Sequence, residues 1–235
     1  MLVLWLLFLF FMSMLGLVLF ASFSNKKAAQ YLPPAGQFAK LSQGTLHYLD
    51  EGQGPAVVLV HGLAGNFHNF TYGVSKPLSA QYRVIAVDRP GCGYSKRNPH
   101  ADASLEAQAD TLIELLDHLK IESAVFVGHS LGGAISLAAA QRHPSRIKAL
   151  ALIAPLTHQP ESPAPVFKPL DIPSPVLRKL IGWTFAVPGT LFRMSTSLKF
   201  IFGPERPQQT SPFEAAALWR LSPKHSSRHP VTYSR

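Results

Sequence analysis

One cysteine, Cys92, is all this 235-residue chain has, so no internal disulfide can form. It sits in a glycine-rich turn, where it reads as a small turn-filling residue without a catalytic role. Acid is scarce as well: 13 Asp and Glu face 22 Lys and Arg, leaving a net charge of +9. The imbalance is C-terminal, because residues 1–175 carry 13 basic and 11 acidic side chains while residues 176–235 carry 9 and 2. Such a stretch fits either steering toward anionic lipid headgroups or a loosely ordered tail. No nucleic-acid-binding motif accompanies the charge, so no nucleic-acid partner is expected. Nor does any Lys or Arg precede the first apolar run, Leu2 to Phe23, which is broken only by Ser13, Gly16 and Ser22 and meets no charge until Lys26.

That run is long enough to span a bilayer. A cleavable signal peptide has a basic start and a shorter apolar core, so residues 1–24 are expected to form an uncleaved transmembrane anchor. Export after cleavage near Ser22-Phe23-Ser24 is the alternative. Lys26 and Lys27 favour a cytoplasmic location for the domain C-terminal to them, but two lysines leave the side of the membrane open. The rest of the chain suits one domain with an ordinary core. Residues 25–37, with Pro33-Pro34, read as a stiff linker.

Beyond the linker, Phe38–Leu41, a turn at Gln43-Gly44 and Thr45–Leu49 predict an antiparallel edge. Ala56–Val60, Tyr82–Val87, Val125–Val127 and Ile147–Ile153 are short apolar runs with the character of buried strands. Ser104–Leu119 is an amphipathic helix capped by Ser104, with Leu105, Ala109, Leu112, Leu116 and Leu119 on one face. Ala134–Arg142 is a second helix. Strands alternating with helices predict a mostly parallel sheet of about six strands with helices on both sides.

The sequence is most specific at Gly128-His129-Ser130-Leu131-Gly132, where an apolar strand runs into Gly-x-Ser-x-Gly and then an alanine-rich helix. A turn this tight holds Ser130 in a strained backbone conformation, and the positions two before and two after it must be glycine to avoid Cβ clashes. The hydroxyl is lifted to the top of the sheet, and the first helical N–H groups, beginning with that of Leu131, converge above it. Upstream, the strand at 56–60 ends in His61-Gly62-Leu63-Ala64-Gly65, and the next runs into Asp88-Arg89-Pro90-Gly91-Cys92-Gly93-Tyr94-Ser95. Downstream, the strand at 147–153 ends at Ala154-Pro155. In this order and spacing, over roughly residues 38–160, the motifs resemble the α/β-hydrolase family, in its serine-nucleophile branch.

The resemblance implies an α/β-hydrolase core at 38–155, a helical cap-like region at 156–221 and an irregular basic tail at 222–235. It implies Ser130 as nucleophile and the backbone N–H groups of Leu63 and Leu131 as oxyanion hole, with no cofactor and no metal. Trp183, Phe185, Phe192 and Phe200 fall on expected cap helices, Val176–Phe185 and Thr190–Phe202, where they either wall an acyl pocket or pack cap on core. An apolar lid favours a hydrophobic acyl-containing small molecule or a lipid as substrate.

The family order is Ser, then acid, then His, with the last two placed after a seventh and an eighth strand. Past Gly203 no apolar strand leads to Gly-x-x-Asp or Gly-His, so the last two strands are expected to be missing. Glu161, His225 and His229 are left as candidates for acid and base. His61 and His129 are expected to brace loops, and His143 to face solvent. Two readings remain: a membrane-tethered hydrolase of an ester or related acyl bond, or a truncated, catalytically impaired hydrolase-fold protein without the acid/His pair. A perhydrolase using the same triad is not separable from the first. Epoxide-hydrolase and dehalogenase chemistry is disfavoured, because those relatives carry Asp where this chain has Ser130.

Overall fold

The computed structural model describes residues 1–31, 33–63, 65–71, 73–158, 172, 174–189 and 191–192. They fall into two units, one over Pro34–Pro160 and one grouping Met1–Pro33 with the described residues beyond 160. In chain order the elements are α1 (Leu2–Tyr31), β1 (Gln37–Leu41), β2 (Gly44–Glu51), β3 (Ala56–Val60), α2 (His68–Thr71), α3 (Ser75–Leu78) and β4 (Arg83–Val87). Next come β5 (Lys96–Arg97), α4 (Leu105–His118), β6 (Ala124–His129), α5 (Leu131–Arg142), a 3-10 turn at Pro144–Arg146, β7 (Ile147–Ile153) and α6 (Pro175–Trp183).

The first unit is built on a seven-stranded sheet in the order β1-β2-β4-β3-β6-β7, with β5 paired to β2. β1 and β4 flank β2 antiparallel, and the pairs β4–β3, β3–β6 and β6–β7 are parallel. All six expected strands are present. The seventh, β5, is two exposed cations paired by backbone to Gly44 and Thr45, and hydropathy carries no trace of it.

Strand alternation sorts the core into two faces. On one, Val58, Val60, Ile85, Val87 and Phe126 meet Ala109, Leu112 and Leu116 of α4 and Ile135 and Ala139 of α5. On the other, Val57, Leu59, Val84 and Ala86 meet Phe67 and Phe70, with Leu78 of α3 beside them. Each such Val, Leu, Ile or Phe side chain contributes ~1.5–3 kcal/mol when fully buried. Cover thins toward β7: Val125 and Val127 are half-buried, and Ala149, Ala151 and Ile153, which lie on the same face, are exposed. Helices on both sides, as the alternation predicts, are thus found at β3 and β4 and not at β7 among the described residues.

Ser104 caps α4 as read from the sequence, its hydroxyl accepting the Ala107 N–H at 3.2 Å. α5 begins at Leu131, three residues before the alanine-rich stretch, because the Ser130 carbonyl already accepts the Gly133 and Ala134 N–H groups at 2.9 and 3.3 Å. In the other unit α1 runs on through Tyr31, into the stretch read as linker. Its Leu2–Ser24 segment is long and apolar enough to cross a membrane, and the same properties suit a signal sequence.

Candidate active site

Ser130 sits between the last residue of β6 and the first of α5, at φ 52° and ψ −117°. Its N–H donates to the Ile153 carbonyl at 3.0 Å, and its carbonyl also accepts the Leu156 N–H at 3.0 Å, so the end of β7 clamps the turn from both sides. The flanking glycines are steric necessities. A Cβ on Gly128 would lie 2.5 Å from the Gly132 carbonyl oxygen and 2.6 Å from the Gly133 Cα, and one on Gly132 would collide with the Val60 carbonyl.

The loop after β3 lies directly against this turn: a Cβ on Gly62 would be 3.1 Å from the Ser130 Cβ and 3.0 Å from His129 Nδ1. Buried Arg89 fixes the loop. Its Nε donates to the His61 carbonyl at 2.9 Å, Nη2 to the Gly62 carbonyl at 3.0 Å and Nη1 to Gln108 Oε1 at 2.8 Å. In a trans peptide the C=O and the following N–H point opposite ways. With the Gly62 carbonyl turned to Arg89, the Leu63 N–H is turned away from it. Neither the Leu63 nor the Leu131 N–H has a backbone partner among the described residues.

His61 is locked in one tautomer. Nε2 accepts the Arg89 N–H at 3.0 Å, so the proton is on Nδ1, which donates to the Gly62 carbonyl at 2.8 Å. Burial, and after it the Arg89 charge, pushes its pKa down to about 4. It is a neutral brace and has no lone pair left for a serine proton. Asp88 is a second brace: Oδ1 accepts the Phe67 N–H at 2.8 Å, and Oδ2 accepts the Tyr94 N–H at 2.9 Å and contacts His47 Nδ1 at 2.8 Å. Both loops that border the β4 end therefore hang on one buried carboxylate. Sequence reading marked Asp88–Ser95 as a motif without assigning these roles and passed over Gln108. The available signal was an arginine wedged between a buried strand and a Pro-Gly turn.

Among the described residues no histidine bonds to the Ser130 hydroxyl. His143 is partly exposed, its side chain 32% open to solvent, with Nε2 2.7 Å from Asp110 Oδ1 beside the paired Arg142 guanidinium. His158 is exposed next to Thr157. Glu161, Phe200, His225 and His229 lie outside the described residues. Trp183, Phe185 and Phe192 are exposed and do not form a buried wall. No described cluster of His, Cys, Asp and Glu could hold a metal ion.

A mostly parallel sheet that delivers a serine at positive φ into a helix defines a protein of α/β-hydrolase type. The chain belongs to the alpha/beta hydrolase fold family, whose family model matches residues 55–209. It is 40% identical over 129 residues to the dihydrolipoyllysine-residue acetyltransferase component of an acetoin cleaving system from Pseudomonas putida, a match covering 54% of this chain and 34% of that protein. An epoxide hydrolase of Caballeronia sordidicola is 41% identical over 109 residues, covering 45% of this chain and 32% of that protein. A thermophilic esterase from Thermogutta terrifontis, solved with malate bound, aligns with TM-score 0.50 and 31% identity over 55% of this chain and 48% of that one. The chain thus spans about a third of the length of these two curated relatives.

Proposed function

We propose that this chain is a serine hydrolase that cleaves an ester or related acyl bond of a hydrophobic substrate and is held at a membrane by Leu2–Ser24. The observation that carries the reading is Ser130 at φ 52° on the β6–α5 turn, with the Gly62 loop packed against it. In this reaction Ser130 Oγ bonds to the acyl carbon, and the C=O electron pair moves onto oxygen, where the Leu63 and Leu131 N–H groups stabilise it. Collapse breaks the bond to the leaving group, which takes up the proton that Ser130 lost, and water then releases the acyl group. Glu161, His225 and His229 are the residues to test as acid and base. The P. putida relative and the esterase both have names that denote acyl chemistry, which supports the substrate class. The epoxide-hydrolase name does not transfer, because Ser130 stands where the family resemblance gives those enzymes an Asp.

A second reading is a hydrolase-fold protein without a base, and it is favoured by His61, the histidine of the loop against Ser130, having both ring nitrogens bonded to Gly62 and Arg89. One experiment separates the two. The detergent-solubilised chain is exposed to a fluorophosphonate probe and to p-nitrophenyl esters, alongside Ser130→Ala and a His225→Ala/His229→Ala double variant. The hydrolase reading expects labelling and turnover that vanish in Ser130→Ala. Labelling and turnover both absent from the unaltered chain support the second reading, and turnover unchanged in Ser130→Ala overturns Ser130 as the nucleophile.

A further inference from the structure

α6 exposes an apolar stripe. Val176, Leu180 and Trp183 are 78, 53 and 64% exposed, and at the helical period they share an arc of about 60°. The adjoining side is more shielded, with Leu177 46% exposed, Ile181 half-buried and Thr184, just past the helix, buried. α6 touches α1 within the same unit. Along the apolar segment of α1, Leu2 to Ser13 is exposed throughout, and exposure falls at Met14, Leu17, Val18, Ala21, Ser22 and Ser24. The shielded part of the apolar segment is thus the part nearest Lys26 and Lys27. The α6 stripe continues the surface that an anchor presents to lipid.

We infer that α6 is an interfacial helix, lying along the bilayer surface beside the anchor with Val176, Leu180 and Trp183 set at the boundary between headgroups and acyl chains. Lipid is the occupant on three grounds. The stripe adjoins the one segment of the described chain with bilayer-spanning length. The α6 sequence has two cations, Arg178 and Lys179, and no acid, which suits an anionic surface. Its tryptophan is the residue type enriched at the headgroup level. The inference rests on reading Leu2–Ser24 as an uncleaved anchor and does not depend on the chemistry of Ser130.

The test uses the full-length chain in vesicles of phosphatidylcholine and phosphatidylserine. Trp5 and Trp219 are replaced by Phe, leaving Trp183 as the only one of the three tryptophans. Trp183 emission is expected to be blue-shifted, shielded from aqueous acrylamide, and quenched several-fold more by lipids brominated near the headgroup than by lipids brominated near the acyl-chain terminus. Adding Leu180→Asp is expected to restore acrylamide quenching while the chain still floats with the vesicles. A floating chain whose Trp183 is fully open to acrylamide overturns the inference and leaves the anchor intact. Shielding without bromolipid quenching, together with a cross-linked dimer, assigns the stripe to a second copy and also overturns it. A chain that does not float overturns the anchor and the inference together.

Discussion

Arg89 is a buried cation whose side-chain partners are three oxygens, none of them a carboxylate. Lysine would keep the charge and lose the fork that spans two carbonyls and an amide. Arg89→Lys is therefore expected to lower stability by about 2–4 kcal/mol, read from the denaturant midpoint, and to slow fluorophosphonate labelling of Ser130. His61 makes a pH-dependent contribution of known sign. Its folded pKa, about 4, lies below the ordinary 6.5, so the unfolded chain takes up the proton first. The stability is complete above pH ~6.5 and is lost as pH falls toward 4, a total of ~3 kcal/mol. Comparing denaturant midpoints at pH 7 and 4.5 checks this: the difference should shrink in His61→Gln. The bracing role of His61 was expected from the sequence and that of Arg89 was not, since an arginine after a strand resembles any turn cation and only its three acceptors reveal the brace.

At the scale of elements, the β6–turn–α5 unit was legible because sterics leave few sequences able to make it. Gly132→Ala places a methyl on the Val60 carbonyl and should lower stability by at least ~2 kcal/mol, read from the denaturant midpoint. Ser104→Ala is milder, removing one cap bond from α4 for a loss of about 1 kcal/mol. Of the six longer strands, β3, β4, β6 and β7 were legible from continuous apolar runs such as Val84–Val87 and Ala56–Val60, and β1 and β2 from the turn at Gln43-Gly44 between them. β5 was not, since two cations pair there through backbone alone, and α2 and α3 are single turns too short for a period to show. The start of α5 was missed for a related reason: the carbonyl of Ser130 sets it, and residue preference does not. Acid and base stayed illegible, because a triad is assembled across the chain and no local pattern marks Glu161, His225 or His229.

For the molecule as a whole, the proposed anchor makes a simple fractionation decisive. Leu2–Ser24 is ~35 Å of helix at 1.5 Å per residue, enough to cross a ~30 Å hydrocarbon core. The full chain should stay with the membrane pellet in high salt and in alkaline carbonate and leave it only in detergent. Release by salt alone would reduce the attachment to electrostatics, for which the +9 charge offers a source.

The backbone angle of Ser130 also sets chemistry against folding. A residue bearing a Cβ is held there at φ 52°, in a region that costs ~1–3 kcal/mol, and glycine would relax it. Ser130→Gly should accordingly melt at a higher temperature than Ser130→Ala, although both are silent to the probe. Relieving that strain thus removes the proposed nucleophile, and a heat-based screen for hardier variants would select against the very residue on which the proposed activity depends.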